Sequence, residues 1–232
     1  MKTLLGADLR KAHRIYLVLA ALFICSLVVS NLIFQKFFYW NPLGLYNFEI
    51  SVGLLPYPIT FLITDLVSEI YGRRKANDLV LAGIFASVFS LGIIYVADTA
   101  PATGFSAIQD DVFNKVFGAT TIAVIASMLA YLFAQFVDIQ IYHFWKRLTK
   151  GKMLWLRNNA STIFSQFVDT MSVLLLLCYY DVIPWERFWP LLGAGFLFKL
   201  LVALIDTPLL YLGVFIFRRL FKLDIGEEIN ID

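Results

Sequence analysis

Five carboxylates stand inside apolar stretches of this chain: Asp65 and Glu69 in ITDLVSEIYG, Asp138 and Asp169 in two copies of QFVD, and Asp206 in LIDTPLL. A charge at the centre of a lipid-spanning helix costs at least about 2.5–3.5 kcal/mol, so such groups turn toward a protein interior or a wet cavity and mark a pathway for a solute or ion. Gln135 and Asp138 are three residues apart and share a helix face, and Gln166 and Asp169 repeat the arrangement. Asp65 and Glu69 are four apart, with Thr64 and Ser68 alongside. Carboxylates accept two parallel N–H bonds from an amidine-like edge, such as that of guanine. Amides read a ring carbonyl and aromatic rings stack on a planar solute. Lys199 is the one basic residue inside a span. Its seven-residue offset from Asp206, about 10 Å along a helix, argues against a direct bridge between them. It is left to neutralise an aspartate of a neighbouring helix, to titrate during a cycle, or to snorkel outward.

The elements that must hold these groups are membrane helices. Hydrophobic residues make up 60% of the 232 and charged ones 16%, against roughly 25% charged in soluble domains. Mean hydropathy is +0.76. A bilayer core takes about 20 apolar residues per helix, and six windows qualify: 15–34, 46–67, 79–97, 117–141, 160–180 and 188–217. The expected fold is all-α: a single polytopic domain over 1–232 with six transmembrane helices. Fifteen of the 19 Lys and Arg residues fall at the chain start, in the second and fourth loops and after the last helix, and three on the opposite side. Positive loops stay inside, so both termini are expected in the cytoplasm. At the helical rise, Asp65 and Asp138 then lie about 12 Å from the inner interface and Asp169 and Asp206 about 18 Å, a convergence that predicts one polar cavity. Pro56, Pro58 and Pro208 are expected to break helices beside it, freeing carbonyls that can line a cavity.

Each candidate has a plainer reading. Gln135, Gln166 and the aspartates can hydrogen-bond neighbouring helices, and Glu69 can pair with Arg73 one turn on. The basic loops read as topological anchors rather than a nucleic-acid surface. Cys25 and Cys178 have no paired spacing and imply neither a disulfide nor a metal site. His13 and His143 sit near helix ends, and no hydrolase, zinc or phosphate-loop spacing occurs, so neither an enzyme nor a cofactor is expected. The loop 98–116 is expected to hold a short interfacial helix, and the polar tail from Lys222 to fray.

The stretches ITDLVSEIYGRRKA (63–76), QFVD (135–138), LWLRNNAST (154–162), SQFVDT (165–170) and LLVALIDTPLLY (200–211) resemble the queuosine precursor transporter family, also described as a vitamin-uptake group. The resemblance covers nearly the whole chain. It implies a bacterial inner-membrane importer of 7-cyano- and 7-aminomethyl-7-deazaguanine that works in lipid without an ATPase partner. It also adds Asn158 and Asn159 to the candidate substrate contacts, beside Asp65, Glu69, Gln135, Asp138, Gln166, Asp169, Lys199 and Asp206. Proton coupling and facilitated diffusion followed by trapping both remain open. The alternatives are a binding subunit of an energy-coupling-factor vitamin transporter and an intramembrane enzyme.

Overall fold

The computed structural model describes residues 2–41, 44, 47–118, 121–150, 152–180 and 183–231. Its order is β1 (Lys2–Thr3), α1 (Gly6–Ile33), β2 (Phe37–Trp40), β3 (Phe48–Ser51), α2 (Tyr57–Ile70), α3 (Gly72–Thr99), α4 (Asp110–Phe113), α5 (Thr121–Leu148), α6 (Leu154–Tyr179), α7 (Phe188–Phe221) and β4 (Ile229–Asn230). Among the described residues, five stretches are long and apolar enough to cross a membrane: Gly6–Ile33, Val52–Ile70, Gly72–Thr99, Leu154–Tyr179 and Trp185–Phe221. The chain is a helical, multi-pass membrane bundle. Helix α5 has 28 residues, the length of α1 and α3.

The apolar surface explains the arrangement. The spans of α1, α3 and α7 are only 17–22% buried, whereas that of α2 is 56% buried. Leu17, Phe85, Phe89, Tyr95, Leu204 and Ile205 accordingly face outward, as lipid-facing side chains do. Helix α2 is the core element, packed against α1, α3, α5 and α7. It is also the most polar span, with Thr60, Thr64, Asp65, Ser68 and Glu69 all buried. Polar groups avoid lipid when protein surrounds the helix that carries them.

Contacts sort the connections into two ends. At one, Tyr16 donates to the Lys75 carbonyl (3.1 Å), Tyr71 to the Ala12 carbonyl (3.0 Å), and β1 pairs with β4 in parallel. We call this the terminal end. At the other, Gln35 bonds the Val116 carbonyl, Asn114 donates to Asp98 (3.0 Å) and Arg187 approaches Glu49 (3.6 Å). This hairpin end carries the antiparallel β2–β3 ribbon, in which Phe37 opposes Ser51 and Trp40 opposes Phe48. Trp40 and Phe48 close on Phe198 of α7, with ring centroids 5.3 and 6.2 Å away.

Several expectations need correction. The window 46–67 is not one helix: Phe48–Ser51 is a strand and α2 begins at Tyr57. Pro56 and Pro58 start α2 instead of interrupting it, because proline suits a first helical turn whose N–H groups have no partner. Helix α7 runs through Pro208, and the Thr207 hydroxyl bonds the Ala203 carbonyl (3.0 Å). The short helix expected in 98–116 is present as α4, followed by a π-turn at Asn114–Gly118, with Phe105 exposed outside it. The tail does not fray: Ile229 and Ile231 are buried and β4 holds it to β1.

Candidate functional site

A cavity of about 160 Å³ opens between α1, the ribbon, α2, α6 and α7. Its floor is an ion pair between Asp169 of α6 and Lys199 of α7, with side chains 1% and 8% exposed. Tyr57, in the first turn of α2, donates its hydroxyl to the same carboxylate (3.2–3.3 Å), and its ring lies 4.8 Å from the Lys199 ammonium. Three helices therefore meet on one charge-neutral cluster. Asn31 lines the cavity and its Nδ2 has no partner among the described residues. The mouth carries Glu49, held loosely by Arg187.

Beside the floor lies a recess of about 20 Å³ bounded by Tyr57, Gln166, Phe198, Lys199 and Asp206. That is room for one water. Gln166 is buried and its Oε1 lacks a donor. Tyr57 and Lys199 border both spaces, so a polar group on the cavity floor would be within a few atoms of Gln166 and Asp206.

Deeper in the bundle the polar groups are sealed. Asp138 is fully buried; the Ser165 hydroxyl donates to its carboxyl group (2.9 Å), and Ser161 and Asp65 stand beside it. The Thr64 hydroxyl reaches Gln135 Oε1 (3.3 Å) and, at shorter range, the Phe61 carbonyl (2.9 Å). Further toward the terminal end, Glu69 receives Arg218 (2.9 Å), Lys146 (3.4 Å) and the Tyr142 hydroxyl (3.2 Å), and Lys146 also binds Glu228 of the tail (2.8 Å). Among the described residues no three His, Cys, Asp or Glu side chains gather as a metal-binding group.

Known proteins fit this architecture. A family described as "Putative vitamin uptake transporter" matches residues 51–213, from the end of the ribbon to the middle of α7. The chain belongs to this family. Among its relatives, a Bacillus subtilis protein named "Probable queuosine precursor transporter" is 27% identical over 168 residues, 72% of each chain. The Escherichia coli protein named "Queuosine precursor transporter" is 28% identical over 192 residues, 82% of this chain and 83% of the relative. A Haemophilus influenzae relative named like the first is 29% identical over 164 residues, 69% of this chain and 66% of its own. These relatives are named as transporters and not as enzymes. No solved structure matches the chain.

In this member of the vitamin-uptake family the ten candidate residues separate into layers. Asp169 and Lys199 line the cavity, and Gln166 and Asp206 the recess. Asp65, Gln135 and Asp138 form the sealed seam. Glu69 belongs to the terminal ion cluster, where Lys146 and Arg218 take the place expected for Arg73. Asn159 exchanges a weak bond with Thr207 (3.3 Å), and the Asn158 side chain lies outside the described residues. The single pocket read from depth is thus several sites, because Asp138 points into the α2–α5–α6 contact, where Ser165 binds it, while Asp169 points the other way, to Lys199 of α7 and Tyr57. Lys199 does neutralise an aspartate of the neighbouring helix. Lys146, read as a loop anchor, is buried.

Sequence reasoning missed Tyr57, Asn31 and the ribbon. Tyr57 had a signal in its place between two prolines, which fixes its backbone at a helix start. Asn31 is an amide in an apolar span and belonged with Gln135 and Gln166 by residue type alone. The ribbon gave no such signal, since its residues are as apolar as a span.

Proposed function

We propose that the chain imports queuosine precursors, 7-cyano-7-deazaguanine and 7-aminomethyl-7-deazaguanine, across a bacterial inner membrane. In this reading α5 is the sixth span, both termini are cytoplasmic and the cavity faces outward. The Lys and Arg bias supports that orientation, because the terminal end collects the basic segments around Arg14, Arg73, Lys146 and Arg218. Family membership and the names of the relatives support the substrate class.

The observation that carries the reading is the set of unsatisfied polar groups around a cavity of aromatic-ring size. A dry cavity of about 150 Å³ is known to take a benzene ring, and the open mouth here extends the space. Asn31 offers a free donor for a ring carbonyl. Asp169 accepts N–H groups from the solute edge, and Gln166 with Asp206 receives a group that reaches past Tyr57. Phe34 and Tyr57 supply faces for stacking. Asp65, Gln135, Asp138 and Glu69 lie behind this site and act on it through α2. Asn158 and Asn159, at the start of α6, serve the exit side.

The test is uptake of labelled 7-cyano-7-deazaguanine by membrane vesicles from cells with and without the protein. Saturable uptake that depends on the protein, competed by the aminomethyl compound and abolished by Asp169→Asn, is the expected result. Uptake equal in both vesicle types ends the proposal. Full uptake in Asp169→Asn removes the site assignment and leaves the substrate standing.

A further inference from the structure

The sealed seam between α2 and α5 does something the cavity does not. Asp65 is 3% exposed and Asp138 fully buried. Asp65 stands against Asp138, close enough for the two carboxyl groups to share a hydrogen bond, beside the Thr64–Gln135 contact of the same two helices. An ionised carboxylate only accepts hydrogen bonds, so two carboxyls make that bond when one of them holds a proton. A second observation points the same way. Asp138 Oδ2 has no hydrogen-bond donor among the described residues, on a side chain fully buried from the surface. A fully ionised Asp138 would leave a charged oxygen uncompensated in a dry interior, which is costly.

We propose that Asp65 and Asp138 are a proton-binding site that couples movement of the solute to movement of a proton. The groups on either side form a route. Toward the cavity, Thr64 and Gln135 lie on the same seam, Thr60 is one turn before Thr64 on α2, and the Tyr57 hydroxyl ends on Asp169. Toward the terminal end, Ser68 follows on α2, then Glu69 with the Tyr142 hydroxyl. The titratable and charged groups on the elements packed here are buried His143 with Tyr142 on α5, Glu69 with Lys146 and Arg218 toward the terminal end, and Asp169 with Lys199 and then Asp206 toward the cavity. Among the described residues, helix α6 brings the hydroxyls of Ser161 and Ser165 to Asp138. Helices α1 and α3 bring apolar Phe23, Leu27, Leu79 and Val80 to the core.

The step is a simple exchange. A carboxyl O–H bond in the pair breaks and its proton goes to water at the terminal end, leaving two carboxylates side by side. Their repulsion is strong in a dry seam and weak in water, so loss of the proton favours parting α2 from α5 and admitting water. Binding a new proton from the hairpin side restores the O–H bond and the closed seam. Proton occupancy thereby biases which end is open.

Two measurements on the full-length chain in lipid test this. The first is the infrared spectrum of the purified protein in nanodiscs, compared in light and heavy water at neutral pH. A protonated carboxyl band is expected in the wild type, absent in Asp65→Asn and in Asp138→Asn, and present in Asp206→Asn. Asp138→Glu keeps the acid and should keep the band, which guards against a variant that fails to fold. A band unchanged in both asparagine variants, or missing from the wild type, overturns the proposal.

The second uses proteoliposomes and labelled 7-cyano-7-deazaguanine. With one proton per solute, a one-unit pH step, acid outside, supports about tenfold accumulation, since tenfold is the ratio equivalent to one pH unit. The asparagine variants should fall to no accumulation yet still exchange labelled for unlabelled solute at equilibrium. Accumulation that follows a sodium gradient and ignores pH overturns the proposal. Failure of all uptake sinks the substrate reading, and the infrared result then decides the proton site alone.

Discussion

The same tetrapeptide, QFVD, occurs twice and ends in opposite surroundings. On α5 the Thr64 hydroxyl reaches its glutamine, and its aspartate accepts from Ser165, with Ser161 and Asp65 beside it and no access to solvent. On α6 its glutamine keeps an open acceptor and its aspartate is the floor of a cavity, neutralised by a lysine. Local sequence is equal, so the difference lies in what packs opposite. Helix α5 faces the polar side of α2, where small hydroxyls fill the gap. Helix α6 faces the start of α2, where Pro56 caps the helix and the ribbon leaves space. One copy is sealed inside the bundle, the other borders open space, and polar groups beside a void are what a solute can complete.

The sharpest way to break this contrast is to remove one charge from the cavity floor. Lys199→Met leaves the Asp169 carboxylate without its counter-ion, and removing one partner of a buried pair costs about 3–5 kcal/mol. Thermal unfolding in detergent should show the loss. The double variant Lys199→Met/Asp169→Asn should regain most of it, because neither charge then remains. A single variant as stable as wild type would mean the floor is fully hydrated, and the two copies of QFVD would then differ less than the burial of Asp169 implies.

Gly53→Ala tests the space itself. A Cβ there would sit 2.6 Å from the Ser30 carbonyl oxygen and 2.8 Å from Phe34 Cα, both backbone atoms that cannot swing away. Forcing α1 outward at this wall of the cavity should cost about 1–3 kcal/mol, as overpacking does. Binding of a deazaguanine should weaken at the same time. On the sealed side, Thr64→Val removes a hydroxyl that reaches the Phe61 carbonyl (2.9 Å) and Gln135 (3.3 Å) without opening a void. It should cost about 0.5–1.5 kcal/mol for the hydrogen bond lost, with binding at the cavity unchanged. A loss of binding equal to that of Gly53→Ala would show that seam and cavity act as one site.

Much of this was legible before the fold. The membrane class, most span positions and the burial of Asp65, Glu69, Asp138 and Asp169 follow from the cost of charge in lipid, which acts on residue type alone. The pairing of Lys199 with another helix was readable because its own helix offered no partner in reach. What stayed hidden is what depends on neighbours. Depth along a helix is one coordinate, and Asp65, Asp138, Asp169 and Asp206 agreed in it while differing in direction. The β2–β3 ribbon was hidden because its side chains are apolar on both faces, with Phe48 and Ile50 buried on α7 and Phe37 and Tyr39 outside. The tail was misread because its polar residues suggested fraying, whereas Glu228 meets Lys146 and Ile229 fills a buried position.

The smallest effect belongs to the cavity rim. Arg187 and Glu49 are 62% and 40% exposed and 3.6 Å apart. Exposed pairs contribute about 0.2–1 kcal/mol or nothing measurable, and at physiological salt charges beyond about 8 Å are screened. Arg187→Ala should therefore change stability by less than about 0.5 kcal/mol. It should still free the Glu49 carboxylate at the mouth. The cationic aminomethyl compound then gains an attraction that the uncharged cyano compound does not, so the ratio of their uptake rates should shift toward the cation at low salt and return as salt is added. A rim variant that destabilises as much as Thr64→Val would mean the mouth is as dry as the seam. The contrast between open and sealed QFVD would then need another cause than solvent access.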